Sequence, residues 1–320
     1  MSPIFYLLVG LPGSGKTEQA KKLHQQFGAV IHSSDKLREE LYGDERHQAD
    51  NEHLFKELHK RIINDLSQGC HVVYDATNIN FKRRMSFLRK IKHIDCQKVC
   101  LFMATPFDTC VARNDTRGRT VPLDVIDRMY RSIWIPNAYE GWDYVELVYP
   151  DGFKPLDIET LFGGADGLNY VEQDNPHHAF TVGHHCLATY GILGDASTEL
   201  QEAALLHDIG KPYTKSFVNS KGVTTETAHY YSHHNVSAYN SLFYSSPDCD
   251  RVYVATLIQW HMRPFGFNQT DDSQYDVEKF KRFIGDRTYE DIMKLHQADV
   301  LAKGVVKQTV GSVCDGRCKP

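Results

Sequence analysis

Gly10-Leu11-Pro12-Gly13-Ser14-Gly15-Lys16-Thr17 decides the fold of the first half of this 320-residue chain. The stretch satisfies the pattern G-x-x-x-x-G-K-[ST], in which the glycines let successive backbone N–H groups point toward phosphate oxygens. The apolar run Ile4-Phe5-Tyr6-Leu7-Leu8-Val9 before it predicts a buried strand, and the residues after it predict a helix whose N-terminus adds a positive dipole. Lys16 is therefore expected to reach the β- and γ-phosphates of a nucleotide, and Thr17 to bind Mg²⁺.

Apolar strands alternate with amphipathic helices over the first 150 residues. This alternation is typical of an α/β domain in which helices cover both faces of a parallel sheet. The predicted strands are residues 4–9, 28–32, 71–75, 97–103 and 144–149. The predicted helices are residues 15–26, 34–42, 48–67, 80–92, 106–116 and 122–134.

The hydrophobic periodicity changes after a turn-rich stretch over residues 149–170. A helical period of 3.6 residues prevails from there on, and a hairpin around residues 219–222 interrupts it. We therefore predict two domains, an α/β P-loop domain over residues 1–155 and an all-α domain over residues 165–320. The helices predicted in the second domain are residues 178–193, 198–208, 233–245, 249–262, 274–284 and 288–303.

The composition excludes several classes of protein. A formal net charge of −5 argues against a general affinity for nucleic acid, and no apolar run approaches the roughly 20 residues of a membrane helix. The apolar run at the start is short and lacks a basic leader, so it does not read as a signal peptide. The eight cysteines do not form a compact disulfide framework, which favours a reducing, cytoplasmic location. Cys314 and Cys318 are open to pairing, to metal binding or to a frayed tail.

Two further segments of the first half are candidates for chemistry. Asp35 and Arg38 follow the second predicted strand, at the sheet edge where α/β domains hold substrate. Asp35 is a candidate general base, and it is equally a candidate helix N-cap. The basic cluster over residues 113–119 is a candidate clamp for a transferring phosphoryl group, or a solvated loop.

These motifs together resemble the 5′-OH polynucleotide kinase domain of phage-type end-healing enzymes. The resemblance rests on the phosphate loop, on residues 34–38, on Asp75-Ala76-Thr77-Asn78-Ile79-Asn80 and on residues 113–126, and it covers residues 1 to about 150. It implies that Lys16 and Thr17 handle ATP, or another nucleoside triphosphate, with Mg²⁺. The residues that it assigns to the nucleotide are Gly10, Gly13, Ser14, Gly15, Lys16, Thr17, Arg113, Arg117 and Arg119.

The same resemblance implies the catalytic roles. Asp35 would activate the 5′-hydroxyl, Arg38 would hold the phosphate of the acceptor, and Arg117 would act in the transition state beside Lys16. Asp75 departs from the family pattern, because some relatives have their acidic residue one position later, and its role carries over only weakly. The run Lys82-Arg83-Arg84 suits either a nucleic-acid backbone or a solvated helix start.

Histidine and aspartate mark the second half. Ten of the 17 histidines follow residue 176, and His207-Asp208 ends an apolar predicted helix, where an imidazole and a carboxylate can face one metal. Lys211 follows in a segment that stops the helix. Taken with isolated histidines and a late aspartate, the dipeptide becomes a set of candidate ligands. The set is His185, His207, Asp208, His233, His261 and Asp299.

This set resembles the HD phosphohydrolase superfamily over roughly residues 170–305. The resemblance implies one metal bound by His185, His207, Asp208 and Asp299, while His233 and His261 bind a second metal or contact phosphate. Lys211 would lie near a bound phosphate. Mixed nitrogen and carboxylate ligands suit Mn²⁺, Fe²⁺, Co²⁺, Ni²⁺ or Zn²⁺.

The two resemblances together imply an enzyme that heals nucleic-acid ends. It would phosphorylate a 5′-hydroxyl and remove a 2′,3′-cyclic phosphate or 3′-phosphate, leaving RNA or DNA ends that a partner ligase can join. The alternative keeps both folds with small substrates, a nucleoside-level kinase fused to a nucleotide phosphohydrolase. A module that only senses ends is the rival from another class, and the intact Lys16, Thr17 and Asp35 argue against it.

Overall fold

A computed structural model describes residues 2–45, 50–116, 118, 120–246, 248–267 and 273–304. Arg117, Arg119, Cys314 and Cys318, which the sequence singled out, lie outside these residues. The six described cysteines are free thiols. Within the described ranges, no helix has both the length and the apolar character needed to cross a membrane.

The first half folds around a sheet of five parallel strands in the order β2-β3-β1-β4-β5. Strand β1 lies at the centre, and successive side chains along it enter two different cores. Phe5 and Leu7 pack with Leu54 of one helix on one face, while Tyr6 packs with Leu23 of another helix on the opposite face. The strands are β1 (Ile4–Val9), β2 (Val30–Ser33), β3 (Val72–Asp75), β4 (Gln97–Met103) and β5 (Tyr144–Val148).

Six helices connect these strands, so the predicted α/β domain with a parallel sheet is confirmed. The third helix begins at Asn51 rather than at the predicted residue 48, because the Asp50 carboxylate caps it by accepting from the His53 backbone N–H. The helices are α1 (Lys16–Phe27), α2 (Ser34–Tyr42), α3 (Asn51–Ser67), α4 (Phe81–Lys90), α5 (Phe107–Asp115) and α6 (Leu123–Ser132).

The second half is helical, as predicted, with one antiparallel hairpin of β6 (Lys215–Val218) and β7 (Thr224–Tyr230). The turn-rich connection contains a short helix that the sequence did not predict, capped by Asp157. Helix α8 begins four residues later than predicted, because the Thr181 hydroxyl caps it. The helices are α7 (Ile158–Gly163), α8 (Val182–Ile192), α9 (Thr198–Leu206), α10 (Lys211–Thr214), α11 (His233–Tyr244), α12 (Arg251–Trp260), α13 (Ser273–Ile284) and α14 (Asp286–Leu301).

The two halves share one hydrophobic core. Gln259 of α12 is 2% exposed, and its amide donates to the Ile133 carbonyl at 2.9 Å and accepts from the Ile135 N–H at 3.0 Å. Beside it, the rings of Trp134 and Trp260 lie 4.6 Å apart. The backbone after α6 is therefore hydrogen-bonded to the second half, and the two parts are packed together rather than tethered.

The basic run at the start of α4 divides into exposed and buried residues. Arg84 is 2% exposed and forms two hydrogen bonds with the Glu140 carboxylate, at 2.5 and 2.8 Å. Its third contact is with the Asn78 carbonyl at 2.8 Å. The prediction that this run contacts a nucleic-acid backbone or forms a solvated helix start is therefore wrong for Arg84. Lys82 and Arg83 are exposed, so for them both alternatives stay open.

Replacement of Glu140 by glutamine tests the importance of the buried pair. The neutral amide leaves the Arg84 guanidinium buried without a counter-charge, so the free energy of unfolding should fall by about 3 kcal/mol. Urea unfolding measures this change. The matched control Glu40→Gln removes the exposed partner of Arg61 and should hardly move the midpoint. Equal midpoints for the wild type and both variants would contradict the expectation.

Candidate functional site

The glycine-rich loop lies between β1 and α1, at the carboxyl edge of the sheet. Gly13 has φ +81°, and a Cβ atom there would lie 2.2 Å from the Cys110 carbonyl oxygen. Gly15 has φ +95°, which L-residues rarely adopt. These two positions require glycine, one because the α5 backbone approaches it closely and the other because of its conformation.

Hydrogen bonds fix the lysine of the loop and attach the loop to the sheet. The Lys16 ammonium donates to the carbonyl oxygens of Gly10 at 3.1 Å and Leu11 at 2.8 Å. The Ser14 carbonyl accepts from the Thr105 hydroxyl at 3.0 Å, which ties the loop to the end of β4. The predicted phosphate loop thus holds the positive charge of its lysine beside the loop backbone, where anionic phosphate oxygens would bind.

Asp75 brings a carboxylate to the same place. It ends β3, pairs in register with Leu8 of β1, and is 5% exposed. Its Oδ2 accepts from the Thr17 hydroxyl at 3.1 Å. A hydroxyl and a carboxylate in contact are the two protein ligands that Mg²⁺ has in P-loop NTPases. The family resemblance implied a role for Asp75 only weakly. Its position at the end of a buried apolar strand was nevertheless a signal of a functional carboxylate.

The residues after Asp75 hold the start of the loop in place. Asn78 has φ +47°, and its side-chain amide donates to the Leu8 carbonyl at 2.9 Å. The Thr77 carbonyl accepts from the Gly10 N–H at 3.1 Å. This segment, which contributed to the family resemblance, therefore fixes the loop entrance through its backbone and one amide.

Asp35 and Arg38 form a contact at the same sheet edge. Ser33 occupies the N-cap of α2 and pairs with Asp75 across β2 and β3, so Asp35 lies inside the first turn and is not the cap. The Asp35 carboxylate accepts from the Arg38 guanidinium at 2.8 Å, and its side chain is 46% exposed. Arg38 is buried and also donates to Asn51 at 3.1 Å. An accessible carboxylate is thus oriented by a buried cation.

The predicted phosphoryl clamp is described only at its base. Arg113 is exposed in the last turn of α5, and Arg117 and Arg119 lie outside the described residues. The Asn114 side chain donates to the Val121 carbonyl at 3.0 Å and accepts from its N–H at 2.9 Å. These two bonds hold Asn114 and Val121 together.

The six predicted metal ligands of the second half come from separate elements and meet in the protein interior. Each of them is at most 6% exposed. Some of these ligands lie within a helix, and the others lie at or just after the end of one. His185 lies on α8, His207 and Asp208 follow α9, His233 begins α11, His261 follows α12, and Asp299 lies on α14.

Backbone carbonyl oxygens orient all four imidazoles. When Nδ1 carries the proton and donates it to a carbonyl, Nε2 keeps its lone pair and faces the centre of the cluster. This arrangement is typical of histidines that bind a metal. The Nδ1-to-oxygen distances are 3.3 Å for His185 with Ala302, 2.8 Å for His207 with Ala204, 2.7 Å for His233 with Tyr230 and 2.6 Å for His261 with Ile258.

The Nε2 atoms converge around Asp208. Those of His185 and His207 are 3.2 Å apart, and those of His233 and His261 are 3.4 Å apart. Asp208 Oδ2 lies 3.4 Å from His185 and 3.3 Å from His207, while Oδ1 lies 3.3 Å from His233. Two groups of three residues with metal-ligand spacing thus share Asp208. The donor set fits a divalent metal.

Electrostatics favour the metal-binding forms of most of these residues. Burial lowers the pKa of His233 and His261, so both imidazoles are neutral at pH 7. Burial alone would raise the pKa of Asp208, but Lys211 and His207 hold it well below its ordinary value. Burial also opposes a charged His207, yet the neighbouring carboxylates raise its pKa. A metal ion would therefore take the place of a proton on this histidine.

Lys211 and Asp299 complete the site. Lys211 is 4% exposed, and its ammonium contacts Asp208 Oδ2 at 2.7 Å and the Gln173 amide oxygen at 2.6 Å. Asp299 Oδ1 lies 3.1 Å from Nε2 of His185. The cluster opens into a cavity of about 270 Å³ that Lys211 and Lys303 also line. Sequence patterns did not point to Lys303, which lies outside any motif.

Replacement of Asp75 by asparagine tests the oxygen pair at the phosphate loop. The amide keeps the size of the side chain but removes its negative charge, so Mg²⁺-dependent ATP binding should weaken by about tenfold, the effect of losing one charged ligand interaction. Titration with a fluorescent ATP analogue at several Mg²⁺ concentrations measures this. Asp143→Asn is the control, because that carboxylate accepts from the Lys98 N–H at the opposite, amino-terminal edge of the sheet. Unchanged Mg²⁺ dependence would remove Asp75 from the site.

Two protein families match this chain, one in each half. Residues 5–134 match the family described as AAA domain, and residues 177–297 match the HD domain family. The first match contains the phosphate loop, Asp35 and Asp75, and the second contains all but one of the clustered ligands, Asp299.

Individual relatives each match about half of this chain. An L-seryl-tRNA(Sec) kinase of Methanococcus maripaludis is 26% identical over 166 residues, which cover 48% of this chain and 62% of that kinase. This chain therefore spans less than two thirds of the length of the kinase. The APS kinase CysC of Mycobacterium tuberculosis is 21% identical, with a TM-score of 0.36, over 47% of this chain and 90% of that one. The matched chain of the Pnkp1/Rnl/Hen1 complex is 19% identical, with a TM-score of 0.34, over 50% of this chain and 51% of that one.

Both TM-scores are below 0.5, so these two similarities carry no argument about function. The family matches agree with the geometry of each half. An α/β sheet with a phosphate loop occupies the first, and a helical cluster of histidine and aspartate occupies the second. The chain therefore joins a P-loop kinase domain of the AAA type to an HD domain.

Proposed function

We propose that this protein is a bifunctional enzyme that heals broken RNA or DNA ends. Its first domain transfers a phosphoryl group from ATP to a 5′-hydroxyl, and its second removes a 2′,3′-cyclic phosphate or 3′-phosphate. The observation that carries the proposal is the presence of two separate sets of phosphate-handling side chains in one chain. One set surrounds Lys16 and Asp35, and the other surrounds Asp208.

Asp35 acts as the general base in the kinase domain. It is exposed enough to meet a substrate hydroxyl, and Arg38 holds its carboxylate in a fixed orientation. Proton removal by a positioned carboxylate contributes about 10²- to 10⁴-fold to a rate. Lys16 neutralises charge on the transferring phosphate, and Thr17 with Asp75 holds the Mg²⁺ that accompanies ATP.

The HD domain holds its metal through the residues that converge on Asp208. His185, His207 and Asp299 face one side of this carboxylate, and His233 with His261 faces the other. Asp208 belongs to both groups of candidate ligands, so these residues would hold one metal ion or two. A divalent metal supplies a nucleophilic water at neutral pH and polarises a phosphoryl oxygen. The nitrogen-rich ligand set suits Mn²⁺, Fe²⁺, Co²⁺, Ni²⁺ or Zn²⁺ better than Mg²⁺.

The two activities complement each other chemically. Cleavage of RNA by attack of its own 2′-hydroxyl leaves a 5′-hydroxyl and a 2′,3′-cyclic phosphate, whereas a ligase requires a 5′-phosphate and a 3′-hydroxyl. One protein that makes both changes prepares ends for a partner ligase. The name of the L-seryl-tRNA(Sec) kinase refers to a tRNA, and its 26% identity supports an acceptor hydroxyl carried by RNA.

The cavity volume supports a second candidate, a nucleoside-level kinase fused to a nucleotide phosphohydrolase. At about 270 Å³ the cavity of the HD domain is close to the lower limit for small-molecule pockets, which a mononucleotide would fill. One assay separates the candidates. An RNA with a 5′-hydroxyl and a cyclic phosphate is incubated with ATP and Mn²⁺, and both ends are analysed beside a nucleoside and a mononucleotide. Turnover of the small substrates alone would support the second candidate.

Replacement of Asp35 by asparagine isolates its role as a base. The amide oxygen still accepts from Arg38 but cannot take a proton, so kcat for 5′-phosphorylation should fall by about 10² or more while ATP binding is kept. Glu39→Gln, an exposed carboxylate on the same helix, serves as the control and should retain wild-type turnover. Near-normal turnover by the Asp35 variant would assign Asp35 to a structural role in α2.

Substitutions in each domain test whether the two reactions use separate sites. Lys16→Ala should abolish 5′-phosphorylation and leave 3′-end hydrolysis intact, because the lysine ammonium donates to carbonyl oxygens of the phosphate loop, in the first half of the chain. Asp208→Asn should abolish hydrolysis, leave phosphorylation and lower the metal content of the protein, since both groups of ligands contain this residue. Thermal melting checks that each variant is folded. A folded variant that loses both reactions would contradict separate sites.

A further inference from the structure

The cavity over the metal ligands has a polar floor and an aromatic rim. Asp208, His233, His261 and Asp299 form the floor, and Lys211 stands beside them. The rim has a different chemistry, since it presents rings and a thioether to the opening. A phosphoryl group needs only the floor, so the rim indicates that the ligand also has a flat or apolar part. The rim residues are His229, Tyr230, Tyr231, Met262 and Phe265.

Tyr231 and His229 form a stacked pair on the hairpin side of the rim. Their ring centroids are 5.5 Å apart and their planes differ by 11°. Nε2 of His229 lies 3.0 Å from the Thr225 hydroxyl, which fixes the imidazole on β7. Tyr231 is 47% exposed although it lines the cavity. The pair thus offers an ordered aromatic surface at the mouth of the site.

The second side of the rim follows α12, whose last turn leads into His261. Met262 is 37% exposed, and the Lys303 ammonium lies 4.6 Å from the centre of the Phe265 ring. Lys303 therefore carries a positive charge to the rim in a position fixed by a cation–π contact. A cation beside an aromatic surface is the combination with which proteins hold the backbone and bases of single strands.

We propose that the rim binds the base of the 3′-terminal nucleotide on Tyr231 while its phosphate lies over the metal ligands. The substrate class is then a single-stranded 3′ end, whose terminal base is free to stack on Tyr231, in a cavity of about 270 Å³ that has the size for one nucleotide. Every base has a flat face, so stacking accepts all four bases. This inference rests on the proposed removal of a 3′-terminal phosphate.

Two RNAs test the inference, identical except that the last nucleoside carries a base in one and is abasic in the other. Each bears the terminal phosphate, cyclic or open, that the wild type removes. The wild-type KM should be about tenfold higher for the abasic RNA than for the RNA that carries the base. Tyr231→Ala should raise KM by about tenfold for the RNA that carries the base and leave KM for the abasic RNA unchanged, within the range of base–aromatic stacking. Tyr231→Phe should behave as the wild type, with kcat little changed throughout.

Tyr170→Ala is the matched control, because Tyr170 is 68% exposed and does not line the cavity. It should change neither KM nor kcat. Equal wild-type KM values for the two RNAs would overturn the inference, as would a Tyr231→Ala effect of the same size on both. If the wild type leaves the phosphate on both RNAs, the proposed function itself fails, and the substrate class falls with it.

Discussion

Burial of α11 on every side is the constraint on which both sites depend. This helix begins with His233, and nine of its 12 residues are buried. Its Ser237 hydroxyl accepts from the Gly210 N–H at 2.8 Å, which fixes the turn that carries Asp208. A Cβ atom on Gly210 would lie 2.5 Å from the His233 carbonyl oxygen, so the close approach of that turn to α11 requires glycine. The candidate metal ligands are therefore positioned by helix packing.

The same helix reaches the kinase domain. Tyr239, in the middle of α11, is fully buried and donates its hydroxyl to the Thr105 carbonyl. Thr105 in turn donates to the carbonyl of Ser14 in the phosphate loop. Two hydrogen bonds thus connect the helix that begins with the candidate ligand His233 to the glycine-rich loop. The sites are distinct in their chemistry, but they are supported by one continuous core.

The sequence predicted what depends on local patterns. The phosphate loop, the five strands and the histidine–aspartate set each have a signal within a short segment or a fixed order of residue types, and the structure brings His185 near His207 and Asp208 accordingly. Where a charge is buried is decided by distant partners. Glu140 lies 56 residues from Arg84, so no reading of the basic run in α4 could have placed that arginine in the interior.

Tertiary pairing also explains what the sequence missed. Gln259 looks like an ordinary polar residue of α12, and only the packed structure shows it hydrogen-bonded to backbone more than 120 residues away. The stacked rings of His229 and Tyr231 lie at the end of β7, and the ligand pattern that includes His233 gave no indication that these two rings stack. Asp75 is intermediate, because its strand-end position was visible while its contact with Thr17 was not.

The imidazole nitrogens that face each other make the metal a part of the fold. With Nδ1 of His185 and His207 on carbonyl oxygens, the two Nε2 atoms at 3.2 Å need a positive charge between them. A ligand that binds only the native state stabilises it by thermodynamic linkage, by about 4 kcal/mol when its free concentration is 1,000 times Kd. Because residues of both halves pack in one core, a metal bound at this cluster would also stabilise the first half against unfolding.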